Sequence, residues 1–260
     1  MEFDYIKQGD CLKLMTEIPD KSIDMILCDL PYGTTACKWD TIIPFEPLWE
    51  QYNRIIKDNG AVVLFGSEPF STLLRYSNLK MYKYDWVWIK SNGSCSGFVH
   101  AKNMPLKKHE LISVFSKNAM GHKSRLGDKR MSYNPQGLIY KPTKETSKKK
   151  FGGTVGKRPS QVDEYVREYT NYPTSILEFK SERGFHPTQK PVALLEYLIK
   201  TYTNEGDVVL DNCMGSGSTC VAAVNTNRHY IGFELDEKYF DIACQRLDEA
   251  EEKFFNDDVS

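Results

Sequence analysis

Short apolar runs that stop abruptly at polar or glycine-rich turns alternate with helically spaced stretches along most of this 260-residue chain. Few folds accommodate that rhythm. A run too short for a buried helix, yet apolar on nearly every side chain, suits a strand covered on both faces, as in a largely parallel sheet between two helix layers. Residues 22–28 (SIDMILC) predict such a strand, followed by a helix at 45–57, a strand at 61–66 (AVVLFG) and a helix at 69–76. Residues 84–89 (YDWVWI) and 110–115 (ELISVF) predict two aromatic and β-branched strands. Strand alternation is expected to divide Trp86 and Trp88 between core and groove. The pattern resumes with a strand at 175–179, a helix at 191–203, a strand at 208–211, a helix after Gly217, a strand at 230–235 and a last helix at 236–252. Residues 3–7 are strand-like, and no internal repeat interrupts the series.

Between residues 116 and 171 the periodicity fades and Gly, Pro, Ser and Lys dominate. Charge singles out the same region: residues 117–158 hold twelve Lys or Arg against two acids, a net +10 in a chain whose total is −1, so the remainder carries −11. Whole-chain charge would not suggest a nucleic-acid binder, but this cluster does, with Tyr133, Tyr140 and Phe151 interleaved among the cations. A solvated charge run has the same composition. Lys123, Arg125, Lys129, Arg130, Lys148 and Lys149 are the candidate nucleic-acid contacts, and the turn 91–93 is a further one. Seven cysteines lie scattered without a C-x-x-C pair; they suit a reducing compartment and predict no metal site. No stretch is apolar enough to span a membrane and the N-terminus has no signal-peptide pattern, so a soluble, cytoplasmic protein is expected.

Three constellations carry chemistry. Asp29-Leu30-Pro31-Tyr32 directly follows the strand ending at Cys28, where open α/β sheets bind ligands. A carboxylate beside a backbone carbonyl offers two acceptors to an aromatic amine, and the tyrosine offers a stacking face for an extruded base. A strand-end Asp before a proline turn is also an ordinary structural feature. Asp211 to Thr219 is the second constellation, again a strand end leading through a Gly-rich turn (Gly215, Gly217, Ser218, Thr219) into a helix. Glu234 lies 17 residues beyond Gly217 at the next strand end, where a carboxylate can take two ribose hydroxyls. This reads equally as a dinucleotide site, although Cys220 stands where that fingerprint wants glycine, and Asp211 suits a cationic ligand better than a pyrophosphate. His186-Pro187-Thr188-Gln189-Lys190-Pro191 forms the third, a polar cluster before a helix, with Thr188 and Lys190 able to receive an amino-acid carboxylate. A solvated helix start with a capping Thr reads the same way.

In this order, and with the basic segment between the first and third, these elements resemble the β-class DNA amino-methyltransferases. The resemblance implies a circularly permuted Rossmann-like methyltransferase sheet of α/β class, with a catalytic domain at 1–115 and 172–260 and a basic target-recognition insertion at 116–171. It implies S-adenosylmethionine as cofactor, duplex DNA as partner, and a role for Gly9-Asp10-Cys11: Asp10 toward the cofactor adenine amine and Cys11 as a backbone contact with the ring. Asp29, His186, Thr188, Gln189, Lys190, Asp211, Gly215, Gly217, Ser218, Thr219 and Glu234 complete the cofactor set it implies. Adenine N6 is the expected acceptor because the family tends to place Asp first in the catalytic turn for adenine and Ser for cytosine. Cytosine N4, an RNA or protein amine, a catalytically silent DNA-binding module and a nicotinamide dehydrogenase are the other readings. The resemblance leaves room for a homodimer and a restriction endonuclease partner, in a bacterial or phage setting. Two departures stand out: Leu30 replaces a second proline, and Asn212-Cys213 replaces Pro-Phe, removing an aromatic wall for which Tyr32, Trp39 or Phe65 is expected to compensate.

Overall fold

The computed structural model describes residues 2–33, 40–121, 123–146, 164–182, 184–185 and 189–258. Its elements run β1 (Tyr5–Gln8), α1 (Cys11–Leu14), β2 (Ile23–Cys28), α2 (Phe45–Ile55), β3 (Ile56–Gly66), α3 (Phe70–Ser77), β4 (Tyr82–Lys90) and β5 (His109–Phe115). Then come α4 (Lys123–Leu126), β6 (Ile139–Thr146), β7 (Glu164–Thr170), β8 (Ile176–Phe179), α5 (Val192–Tyr202), β9 (Val208–Asp211), α6 (Ser218–Asn225), β10 (His229–Glu234) and α7 (Glu237–Asp258). Eight strands form one sheet in the order β1-β10-β9-β2-β3-β5-β4-β8.

The strand at 22–28 is covered on both faces, as its sequence requires. Met25 and Leu27 join a core cluster with Leu194, Leu198 and Ile199 of α5, Ala222 and Ala223 of α6, and Ala243 and Leu247 of α7. Ile23, Ile26 and Cys28 point the other way, into a cluster with Leu48, Trp49, Tyr52 and Ile55 of α2 and Phe70 and Leu74 of α3. The result is a helix–sheet–helix sandwich. Side-chain alternation on β3 follows the same rule, with Val63 and Phe65 on the first side and Val62 and Leu64 on the second.

The sheet is parallel from β1 through β3. Strand β5 then runs antiparallel to both β3 and β4, while β8 lies parallel to β4 at the edge. The one reversed strand arises because β4 skips a position after α3, and the following chain returns between β3 and β4. Trp86 and Trp88 are not divided between core and groove: both are buried, as side chains two residues apart on one strand must share a face. At the opposite edge, β1 pairs with β10. Asp4 fastens that edge through its Oδ1, which accepts the Tyr230 N–H at 3.1 Å, and its Oδ2, which lies 2.7 Å from His229 Nδ1.

By its contacts the chain divides into two compact units: Met1–Asn134 with Ser175–Ser260, and Pro135–Thr174. Residues 131–134 fall in the first because Met131 is buried in its core, the Ser132 N–H donates to Asn59 O at 2.9 Å and the Asn134 N–H to Thr201 O at 2.7 Å. The second unit is therefore shorter than the 116–171 segment in which periodicity is lost. It contains the antiparallel pair β6 and β7, with the rings of Tyr140 and Tyr169 packed edge to face 5.5 Å apart. A register shift between Tyr140 and Thr143, where Pro142 lacks an N–H for the ladder, breaks the alternation that would have announced a strand. Among the described residues no helix is long and apolar enough to cross a membrane.

Packing of α5 on the sheet is pinned by a polar contact inside the core. The Tyr202 hydroxyl accepts the Trp86 indole N–H at 2.6 Å and shares a hydrogen bond of 2.8 Å with the Tyr84 hydroxyl. Tyr202→Phe leaves the indole N–H buried without an acceptor, so unfolding free energy in urea is expected to fall by about 1–3 kcal/mol. An unchanged midpoint would contradict this account of the packing.

Candidate active site

Strands β2 and β9 lie side by side; Asp211 closes β9, and Asp29 directly follows Cys28, the last residue of β2. The helix that follows β9, α6, packs on one face of the sheet, whereas the helix that follows β2, α2, packs on the other. Chains that leave neighbouring strands toward opposite faces open a crevice between them, the place where α/β sheets bind ligands. Here the crevice is a cavity of about 720 Å³. Asp10, Cys11, Asp29, Leu30, Pro31, Tyr32, Gln189, Lys190, Asp211, Gly215, Ser218, Thr219 and Glu234 all line it. Gly217 stands just behind as the N-cap of α6, in the left-handed region at φ 76°, where a β-carbon would come 3.0 Å from that of Ala243.

At one end of the cavity Glu234, closing β10, accepts the Gly215 N–H at 2.7 Å and the Asp236 N–H at 2.8 Å, one on each oxygen. These backbone N–H groups fix the carboxylate in position at the cavity wall. Arg246 braces the glycine turn from behind, donating to Ser216 O at 2.5 Å and to Ser218 Oγ at 3.0 Å. Asp10 caps α1, its Oδ1 accepting the Leu12 N–H at 2.9 Å. Asp211 is almost wholly buried. Burial pushes its carboxyl up to about 6, against the pull of the Thr219 hydroxyl and the Cys213 N–H, the latter 3.1 Å from Oδ1. Asn212 beside it accepts the Tyr52 hydroxyl at 2.5 Å.

At the other end the catalytic-turn candidates form a compact group. Asp29 Oδ1 accepts the Tyr32 hydroxyl at 2.5 Å, and Oδ2 accepts from the Lys190 ammonium. The Tyr32 ring lies against Phe70, 4.9 Å between centroids. Gly33 then turns at φ 67°, its N–H bonded to Asp40 Oδ1 at 2.8 Å, where a β-carbon would strike Ile42 at 2.9 Å. Lys190 also lies 3.4 Å from Glu110 Oε2, and Glu110 Oε1 is 2.7 Å from Lys90 Nζ. Phe65 and Trp88 offer ring faces to the two ammoniums, at 5.1 and 5.3 Å. Burial pushes the Asp29 carboxyl up against the opposing pull of Lys190. It would push Glu110 up as well, but the two lysines outweigh it and hold that carboxyl below its ordinary value. Lys190 stays charged: the two carboxylates raise it more than burial lowers it.

Sequence reasoning foresaw the turn but not its companions. Lys190, expected to meet a cofactor carboxylate, donates to Asp29 Oδ2. Glu110 was missed, and Lys90 was noted only as preceding the turn at 91–93; the signal was a charged residue near the end of each strand. His186, Thr188, Lys148, Lys149 and Trp39 lie outside the described residues, as does the side chain of Lys123. Gln189 lies near Glu182, Nε2 to Oε2 3.3 Å. Arg125 and Lys129 are exposed and Arg130 partly so. The turn at 91–93 is tied down by Asn92, whose Nδ2 donates to Ser181 O at 3.0 Å. Phe65, a candidate to replace the missing aromatic wall, is buried beneath Lys190. Among the described residues no cluster of three His, Cys, Asp or Glu side chains is set to hold a metal ion.

Glu234, the buried Asp211 and the turn from Asp29 to Tyr32 thus share one cavity. The sequence model described as DNA methylase, covering adenine-N6 and cytosine-N4 enzymes, matches residues 23–245. The chain belongs to this family. The methylase is 28% identical to the type II methyltransferase M.BglII of Bacillus subtilis over 93% of its own length and 68% of the relative's. It is likewise 28% identical to the DNA adenine methyltransferase YhdJ of Escherichia coli, over 94% and 83% of the two chains. Among solved structures it is similar in fold to M1.HpyAVI in complex with SAM, at TM-score 0.59 and 22% identity over 93% of this chain and 98% of the other. The cytosine-N4-specific PvuII DNA methyltransferase is similar at TM-score 0.63 and 15% identity, over 98% and 94%.

For the methylase the raised Asp211 carboxyl has a measurable consequence. Its folded value of about 6 exceeds the ordinary 3.8, so the folded state binds the proton more tightly than the unfolded chain. Stability from this group is present below pH 4 and is lost as pH rises through about 6. In the ligand-free methylase, Asp211→Asn is expected to gain stability relative to the unaltered protein as pH rises from 4 to 7. Parallel stability curves for the two proteins would show that Asp211 titrates normally.

Proposed function

We propose that this methylase transfers a methyl group from S-adenosylmethionine to adenine N6 of a base flipped out of duplex DNA at a specific site. The observation that carries the reading is the arrangement at Asp29: a carboxylate at a strand end, fixed by Tyr32 and Lys190, in the same cavity as Glu234. The donor group fits the residues present. Glu234 would take its ribose hydroxyls, Asp10 and Cys11 its adenine, and Asp211 with Gly215, Gly217, Ser218 and Thr219 its cationic amino-acid end; His186, Thr188 and Gln189 belong to the same side. When bound it supplies a methyl group made electrophilic by a sulfonium.

The chain's own residues do the rest. An exocyclic amine is a poor nucleophile because its lone pair is shared with the ring, and it improves as the nitrogen moves toward tetrahedral geometry. Acceptors for both N–H bonds favour that movement: the Asp29 carboxylate for one, the Leu30 carbonyl for the other. Pro31 fixes the turn that presents them, and Tyr32 gives the base a stacking surface. Cys28 is no rival nucleophile, since burial pushes its thiol up to about 12. Arg125, Lys129 and Arg130, with Lys123, Lys148 and Lys149, would neutralise DNA phosphates, and the segment 116–171 would read the target sequence. A second copy of the chain and a restriction endonuclease are the partners the family suggests, and the bacterial cytoplasm, with host or phage DNA, is the setting.

Cytosine N4 is the second reading, kept because the matched family covers both amines. Asp rather than Ser at position 29 favours adenine. The deciding experiment incubates the protein with methyl-labelled S-adenosylmethionine and mixed-sequence duplex, then identifies the labelled nucleoside by mass spectrometry. N6-methyladenine is expected. N4-methylcytosine would overturn the choice of base, and unlabelled DNA would overturn the function.

A further inference from the structure

Lys190 is held between two carboxylates, although an ion pair with Asp29 alone would neutralise it. Its ammonium donates to Asp29 Oδ2 and lies 3.4 Å from Glu110 Oε2, close enough for an ion pair but not aligned as a hydrogen bond. That Glu110 oxygen is buried and has no hydrogen-bond partner, while Oε1 of the same carboxylate is 2.7 Å from Lys90 Nζ. Burying an acceptor without a donor is costly, which makes the open half of Glu110 notable in an otherwise satisfied wall. Two carboxylates and two ammoniums sum to no net charge. A cluster built only to neutralise Asp29 would stop at Lys190.

We propose that Glu110 is the alternate counter-ion of Lys190, a positioning residue that lets Asp29 take up the proton released when the target amine is methylated. The inference rests on the amine-methylation reading above. In the reaction the amine nitrogen forms a bond to the methyl carbon as the carbon–sulfur bond breaks, and sulfur keeps that electron pair. The nitrogen gives one N–H proton to Asp29 and retains the bonding pair, so the positive charge that began on the sulfonium leaves as this proton. Asp29 becomes a neutral acid. Lys190 would then lose the charge of Asp29 as its counter-ion, and a small displacement of the ammonium toward Glu110 Oε2 tightens the ion pair already present there and gives that buried oxygen a hydrogen bond. When Asp29 later releases its proton to solvent, Lys190 returns.

The groups facing this pair are Tyr32 from the catalytic turn, Cys28 from β2, Lys90 from β4, Glu110 from β5 and Asp211 from β9. Tyr32 and Cys28 keep their protons, since burial raises both, so Glu110 and Lys90 are the charges available to tune Asp29 from outside its own turn. They act with opposite sign. Glu110 makes Asp29 harder to ionise, and Lys90 offsets Glu110.

The test uses the full-length protein and two variants, Glu110→Gln and Lys90→Met. In the ligand-free protein with carbon-13-labelled aspartate carboxyls, Asp29 is assigned by its absence in Asp29→Asn and titrated by NMR. Its midpoint is expected to fall by about 1 pH unit in Glu110→Gln and to rise in Lys90→Met. Single-turnover methylation of DNA should show its acid limb moving in the same two directions, with transfer in Glu110→Gln slowed roughly three- to tenfold at neutral pH and cofactor affinity unchanged. A purely structural cluster would lower thermal stability in both variants and leave both midpoints in place, which overturns the proposal. So would shifts of the same sign. Failure of the underlying reading is distinguishable, because the unaltered protein would then place no label on DNA whatever the titrations gave.

Discussion

Pairing of β2 with β9 brings together residues far apart in the chain. Met25 sits opposite Val209 and Ile26 opposite Leu210, so the two strands reach the edge of the sheet together and deliver Asp29 and Asp211 to the same rim. Both strands are buried on each face, and a one-residue slip would exchange the apolar sets of the two cores. Register is therefore enforced by hydrophobic packing well below the cavity. The chain then leaves β9 toward one helix layer and β2 toward the other, and the cavity lies in the opening between them.

Around that opening the electrostatics divide into two halves. Asp211 is a buried carboxylate surrounded by hydroxyl, amide and thiol groups, with the charge of Asp29 adding to the effect of burial, so it resists ionisation. Asp29 faces a lysine that is itself tied to a second carboxylate and a second lysine. The charges on that side cancel, which keeps the cost of burying four ionised groups within reach, and aromatic faces from Phe65 and Trp88 take the place of some lost hydration. Glu234 differs from both, because backbone N–H groups rather than charged side chains hold it at the cavity wall.

How much of this was legible in the sequence depended on range. Apolar period and turn chemistry are local, and they located β2, β9, β10 and α5 within a residue or two, along with the aspartates and the glutamate at the strand ends. The reversal of β5 was not legible, since nothing in ELISVF states its direction; that is set by β4 skipping a place in the sheet. The pair β6 and β7 was hidden because Pro142 breaks the alternation and both faces are largely polar or exposed. Nor could spacing reveal that Lys190 meets Asp29 across 161 residues, or that Glu110 and Lys90 join them from β5 and β4, toward the β8 edge of the sheet. Charged residues in strands are usually solvated, and only the three-dimensional arrangement distinguishes these.

The claim on which the account stands is that one cavity holds two separable functions: Glu234 grips the methyl donor and Asp29 serves the acceptor. Calorimetric titration of S-adenosylmethionine into Asp29→Ala and Glu234→Ala, paired with methylation assays on the same preparations, tests this directly. Asp29→Ala should bind the donor about as well as the unaltered protein and transfer no methyl group, while Glu234→Ala should lose donor affinity first. Comparable losses of affinity in both variants, or unchanged affinity in Glu234→Ala, would contradict the division.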